Sequence, residues 1–346
     1  MGVNFLNFLP SDAKAFMREC GEPEYRGNQL YKWIQKGTPV SEMTTFSEAL
    51  RKKIAERGDV YLPKIRKKLV SQIDGTVKYL FELTDGQLIE SVVMSYEHGN
   101  TICVSSQVGC RMGCRFCAST LEGLIRNLDS GEILGQVIAA QNDTGKRISN
   151  IVMMGIGEPF DNYDNVLRFV YLVNEKEGLN IGQRHISIST CGLAGKINQL
   201  ADEDLQITLS ISLHSVNNEE RKKIMPITNR YSVDELLMAC RDYFRKTGRR
   251  ISFEYTLISG ENDSEQQASD LAAKLHEYFG RSMPFHVNLI PLNEVAERKF
   301  KRGDGASVEK FRRKLESLGV NATVRRRLGP DINASCGQLR LNEKAN

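Results

Sequence analysis

The chain of 346 residues has no run of about 18 apolar residues, so no membrane span is expected. Its first ten residues, Met1 to Pro10, carry no basic charge and make a poor signal peptide. It has no long low-complexity tract and no fixed-period repeat beyond the alternation described below. Its eight cysteines show no pairing pattern. Cys20, Cys103, Cys191, Cys240 and Cys336 are scattered singly, and a disulfide framework belongs to short secreted chains. A reducing, cytoplasmic setting is therefore expected. Hydrophobic content of 40% and charged content of 26% fit a globular protein long enough for one large domain and an accessory piece.

What is there is unevenly distributed. The net charge is only +4, yet residues 1–70 carry +5, residues 298–346 carry +8 and the middle carries −9. The densest basic runs are Lys64-Ile65-Arg66-Lys67-Lys68 and Arg325-Arg326-Arg327. Either run alone reads as a solvated face. Together they suit a phosphate-backbone partner, an RNA-sized one.

The pattern of elements divides the chain at residues 70 and 99. Ser11 to Cys20, Tyr25 to Ile34 and Ser47 to Arg57 predict amphipathic helices; Leu30, Trp33 and Ile34 fall on one face. Residues 1–70 are thus expected to form a helical accessory domain. Val77–Leu83, the Asp85-Gly86 turn and Leu88–Met94 predict a hairpin within an extension, residues 71–99. From residue 100 to 346, short β-branched runs begin at Thr101, Ile148, His185, Ile207, Ile251, Phe285 and Ala322, with helical stretches between them. This predicts an α/β fold, a partial (β/α)6 barrel whose chemistry sits at the C-terminal ends of the strands.

Cys110, Cys114 and Cys117 stand in a C-x3-C-x2-C run after the first of those strands. Three thiolates this close can share a [4Fe–4S] cube and leave one iron open for a small molecule. A structural zinc site would ask for a second pair, which the chain lacks. With Phe116 before the last cysteine, the run resembles the radical S-adenosylmethionine (SAM) superfamily, in which the open iron binds SAM.

Other groups fall at strand ends. Gly157 and Glu158 follow the second strand, Ser189 ends the third, Ser212, Leu213 and His214 end the fourth, and Asn293 follows the sixth. Each alone is weak, since polar residues are common there. His214 reads equally as a structural hydrogen-bond partner. Glu90 is the one acid in an apolar run, suited to proton transfer or merely facing solvent. Cys103 and Cys336 read as a pair that could meet at one site, or as two inert buried thiols.

Taken in order, six segments resemble the dual-specificity rRNA/tRNA adenine-C2 methyltransferases of that superfamily. They are Cys103–Cys110, Met154–Phe160, Ser210–His214, Met225–Ile227, Val287–Pro291 and Ala334–Leu339. Cys191 and Ser335 depart from the family's usual serine and alanine. The resemblance implies that Cys110, Cys114 and Cys117 hold the [4Fe–4S] cluster, and that Gly157, Glu158, Ser189, Ser212, Leu213, His214 and Asn293 bind SAM. It implies two SAM per turnover: one methylates Cys336, and the other activates that methyl group for addition to C2 of adenine. Cys103 would be the transient disulfide partner of Cys336, and Glu90 the proton acceptor. The implied partners are 23S rRNA, tRNA and an electron donor such as flavodoxin, with the enzyme a monomer. The rivals are a C8-adenine rRNA methyltransferase of the resistance type, a radical SAM enzyme activating a protein, and a non-enzymatic zinc or RNA-binding module. Gly157-Glu158-Pro159-Phe160 favours C2 over C8.

Overall fold

A computed structural model describes residues 2–280, 283–334 and 339–340. The chain opens with strand β1 (Val3–Asn4), helices α1 (Pro10–Glu19), α2 (Tyr25–Gln35) and α3 (Glu48–Ala55), and strand β2 (Gly58–Asp59). β1 and β2 pair in parallel and tie the ends of this helical module together. Its core includes Phe5, Phe16, Leu30, Tyr31 and Ile34, with Trp33 packed at the margin. Three strands follow, β3 (Lys64–Val70), β4 (Val77–Glu82) and β5 (Leu88–Tyr96), all antiparallel neighbours. The basic run at 64–68 is therefore an exposed edge strand, as Lys residues on an edge discourage pairing with other chains.

β6 (Gly99–Cys103) pairs antiparallel with β5 and parallel with the strands beyond. The short strands β7 (Gln107–Gly109) and β8 (Leu124–Asn127) come next, then α4 (Ser130–Thr144) and β9 (Ile148–Met153). Four more units continue the alternation: α5 (Tyr163–Asn174), β10 (Ile186–Thr190), α6 (Ala194–Leu200), β11 (Thr208–Ser212), α7 (Asn218–Ile224), α8 (Val233–Thr247), β12 (Ile251–Leu257), α9 (Glu265–Phe279) and β13 (Phe285–Pro291). α10 (Gly305–Ser317) and β14 (Ala322–Val324) close the series. The described residues build a ten-stranded sheet ordered β14-β13-β12-β11-β10-β9-β6-β5-β4-β3, with every pair from β6 to β14 parallel. That is the expected partial barrel with an antiparallel extension on one edge. Among the described residues no helix is long and apolar enough to cross a membrane.

The parallel strands are short β-branched runs because both faces are covered. The crossover helices begin where side chains satisfy their first N–H groups. Asp129, Ser232 and Ser264 each cap a helix while Glu132, Glu235 and Gln267 reach back. Two pieces escape the sequence pattern. The β7–β8 pair brackets the cysteine loop with strands too short to alternate visibly. α7 is seven residues of mostly polar sequence held by its Asn217 cap, and it has no apolar stripe to announce it.

Candidate active site

Cys110, Cys114 and Cys117 sit in the loop between β7 and β8. Gly109 has φ +78, and a Cβ there would lie 2.0 Å from the Gly123 carbonyl oxygen, so only glycine lets the two strands close at this point. The Cys110 N–H donates to that same oxygen at 2.8 Å. The Thr120 hydroxyl lies 3.0 Å from the carbonyls of both Cys114 and Cys117. On the other side, the Arg115 N–H donates to the Ile224 carbonyl at the end of α7. The loop is thus tied at both flanks before any ligand arrives.

The three thiols line one cavity of about 220 Å³ at the C-terminal ends of the strands, together with Gly157, Glu158, Ser189, Ser212 and His214. Gly157 has φ +110, and a Cβ there would strike Gln107 at 2.6 Å, so the turn after β9 can hug the cysteine strand only as glycine. Glu158 is buried; its carboxylate accepts the N–H groups of Cys191 (2.8 Å) and Phe160 (3.0 Å). Burial pushes its pKa up against those bonds and one from the Thr190 hydroxyl. His214 is also buried, with φ +59. Its Nδ1 accepts from the Thr256 N–H at 2.8 Å. Burial, with Arg221 nearby, pulls its pKa down to about 3, so the ring is neutral with its proton on Nε2. The structural hydrogen bond is present, and the ring also lines the cavity.

The donor set fits a cluster. Burial pushes the Cys110 thiol up to about 12 and Cys114 well above its ordinary value, so metal loading must release protons. Among the described residues no group of three or more His, Cys, Asp or Glu is disposed to grip a single metal ion. Three thiols lining one cavity match the number of irons that one cube would offer to protein ligands while leaving the fourth open.

The other candidates lie nearby. Leu213 is wholly buried and is not among the residues that line the cavity. Asn293 and Cys103 line a second cavity of about 330 Å³, which shares Met154, Ile290 and Arg325 with the first. Cys103 packs with Val92 and Met94, and Ala334 packs against that cluster. Cys336 lies outside the described residues. Glu90 is buried, contrary to the solvent-facing alternative, and its carboxylate stands 3.0 Å from the equally buried Lys78 ammonium. It also accepts the Arg340 N–H at 2.7 Å.

Sequence reasoning missed Lys78, Glu254 and Arg221. Glu254 is an acid in the apolar run Ile251–Leu257, the same signal that singled out Glu90. It lines the first cavity and accepts from Asn288 at 2.7 Å. Arg221 lies on a helix the pattern did not reveal.

The model of the radical SAM superfamily matches residues 104–272, and that of the ribosomal RNA large subunit methyltransferase N-terminal domain matches residues 3–60. A Clostridium novyi protein called "Probable dual-specificity RNA methyltransferase RlmN" is 50% identical over 341 residues, 98% of each chain. The protein of that name from Clostridium perfringens strain 13 is 52% identical over 97% of this chain and 96% of its own. A crystallised radical SAM methyltransferase from Sphaerobacter thermophilus superposes with a TM-score of 0.91 at 40% identity, covering 97% of this chain and 98% of that one. With both family models in place and half of all positions identical over nearly the whole length, the chain belongs to the RlmN family of dual-specificity RNA methyltransferases within the radical SAM superfamily.

Proposed function

We propose that this enzyme methylates C2 of an adenine in 23S rRNA and in tRNA, using two SAM per turnover and Cys336 as methyl carrier. The observation that carries the reading is the near-full-length likeness to dual-specificity RNA methyltransferases. The joining of three thiols, the Gly157-Glu158 turn and the strand-end Ser189, Ser212 and His214 in one cavity agrees with it.

In this reading Cys110, Cys114 and Cys117 hold the cluster, and Gly157, Glu158, Ser189, Ser212 to His214 and Asn293 hold SAM. When bound, the two together supply the one-electron cleavage that activates the methyl group. The chain's own residues do the rest. The cavity walls, with Met112, Phe116, Met153, Met154 and Met225, exclude water. The Nε2–H of His214 offers a donor and the strand-end hydroxyls orient the cofactor. Cys336 Sγ carries the methyl group, and the packing of Ala334 against Cys103 supports delivery of that segment to Cys103 Sγ. The Glu90 carboxylate, held beside Lys78, takes the C2 proton. The Cys103 thiolate would then attack Cys336 Sγ: an S–S bond forms, the S–CH2 bond to the base breaks with its electron pair going to that carbon, and a proton taken up there completes the methyl group as the base leaves.

The target adenine must leave its stack to reach the strand ends. We assign the helical module, with the basic runs at 64–68 and 325–327, to RNA docking. The boundaries at residues 70 and 99, a flavodoxin-type electron donor, a monomeric state and a cytoplasmic setting complete the reading on family resemblance and cysteine usage. Cys336→Ala tests it: iron content is expected to stay at the parent level while methylated product disappears. Loss of iron from that variant would contradict the carrier role.

A further inference from the structure

Among the described residues, Arg221 is the largest that is wholly buried. Its Nε donates to the Leu213 carbonyl (2.9 Å), Nη1 to the Thr228 hydroxyl (2.8 Å), and Nη2 to the carbonyls of Cys191 (2.7 Å) and Ser212 (3.0 Å). All these acceptors are neutral. Among the described residues no carboxylate forms an ion pair with it. A guanidinium in such a place is anchored by four hydrogen bonds and has no carboxylate directly paired with it.

The groups close by that can carry negative charge are the Cys191 and Cys114 thiols and the Glu158 carboxylate, which accepts the N–H of the same Cys191 whose carbonyl Arg221 holds. Arg221 holds the Cys191 carbonyl at 2.7 Å, and Cys114 packs against the cluster that contains Cys191. Cys114 matters most, because Met112, Cys114 and Phe116 pack against the small cluster of Cys191, Ile224, Met225, Ile258 and Leu292. Arg221 is three residues before Ile224 on α7, whose carbonyl receives the Arg115 N–H of the cysteine loop. The guanidinium thus sits between the ends of β10 and β11 and the wall that carries the cluster ligands.

We propose that Arg221 is the built-in counter-charge of the cluster site, completing its own charge balance with the cysteine thiolates and setting how readily the bound cluster accepts an electron. The inference rests on the cluster reading above. The step it governs is the addition of one electron from an external low-potential reductant to the oxidised cluster, which makes the site one unit more negative. A fixed buried cation favours that added charge and needs no reorganisation. A purely mechanical role, tying α7 to two strands, would use the same four hydrogen bonds and leave the cluster's potential unmoved.

The test is a redox titration with dithionite, followed by electron paramagnetic resonance, on anaerobically purified full-length protein. Parent, Arg221→Met and Arg221→Lys are compared, with iron and sulfide assayed in each. In Arg221→Met, with iron retained, the ratio of reduced to oxidised cluster at a fixed potential is expected to fall about tenfold, a shift of ~59 mV for one electron. In Arg221→Lys it should stay within threefold of the parent. Should Arg221→Met fail to fold, Arg221→Gln, which removes the charge while keeping hydrogen-bond donors, is expected to produce the same fall without emptying the site. A fall under threefold in the neutralised variant overturns the proposal, as does an equal fall in Arg221→Lys. Parent protein without iron or sulfide would overturn the cluster reading and this inference with it; iron-replete parent with an unmoved variant overturns this inference alone.

Discussion

A lysine and a glutamate buried side by side in a sheet must satisfy each other. Lys78 on β4 and Glu90 on β5 are both about 1% exposed. The lysine also donates to the Asn333 carbonyl at 3.0 Å, so the pair joins the antiparallel extension to the C-terminal segment. Replacing Lys78 by Met strips a buried carboxylate of its cation, and urea unfolding should show a loss of about 3–5 kcal/mol; an unchanged midpoint would contradict the pairing. Turnover should fall with it, because Glu90 loses the group that orients it. Cys103→Ala should leave RNA covalently attached to the protein, seen as a shifted band on a denaturing gel, and clean turnover would contradict the resolving role. The cysteine triplet is legible from residue type and spacing alone, whereas Glu90, Cys103, Cys336 and the strand-end groups gain their roles only from the family resemblance. Lys78 is legible from neither: it follows Val77 in a strand buried on both faces, where alternation carries no sign of what a lysine meets. Glu254 is legible by the rule that singles out Glu90, but the β-branched run around it accounts for its strand without reference to the acid.

Elements meet the site through two seams. In the first, the helical module rests on α4 and α5. The Asn7 side chain accepts from the Ser130 hydroxyl (2.5 Å) and the Gly131 N–H (2.6 Å), and Arg168 donates to the Asn7 carbonyl (2.7 Å). A Cβ on Gly131 would lie 2.9 Å from the Leu6 Cβ and 3.0 Å from the Asn7 backbone nitrogen. Gly131→Ala should therefore cost about 1–3 kcal/mol by thermal or urea unfolding, whereas a neutral result would mean that the seam yields. The second seam is the segment after β14, which crosses from one sheet edge to the turn after β3. Asp331 accepts from the Ser71 hydroxyl (2.7 Å) and the Gln72 N–H (2.9 Å), and Asp74 accepts the Gly329 N–H (2.8 Å). Burial alone would raise the Asp74 pKa, but the Gly329 and Thr76 N–H groups and the Thr76 and Ser71 hydroxyls outweigh it and hold it at about 2. A folded-state pKa below the unfolded one stabilises above the unfolded value, roughly 4. Attachment of this segment should thus be complete at neutral pH and weaken as pH falls from roughly 4 toward 2. Hydrogen exchange at residues 71–76 across that range reads it, and flat protection would contradict it. The seams are invisible in sequence because each joins residues far apart in the chain, while the helices and strands they join are visible in local periodicity.

The whole molecule brings to opposite edges of one sheet the two basic tracts that the sequence holds at opposite ends. β3 is one edge, and Arg325–Arg327 follow β14, the other. Between them, Leu328 and Ala334 line the second cavity, and Gly329 and Asp331 bond to the turn after β3. Arg326 and Arg327 are exposed. Replacing both with alanine should weaken RNA binding most at low salt and lower the salt-dependence slope by about 1 for each phosphate no longer neutralised; an unaltered slope would place docking elsewhere. The α/β alternation makes the barrel legible, since each strand and helix carries its own signature, and the location of chemistry at strand ends follows from it. Which bases the cavity accepts follows from no composition or spacing, so the central claim is tested on the product. Adenosines from 23S rRNA and tRNA should be compared by mass spectrometry in cells with and without the gene. Loss of 2-methyladenosine from both RNAs is the predicted result; loss of 8-methyladenosine instead, or no change in either RNA, would contradict the account.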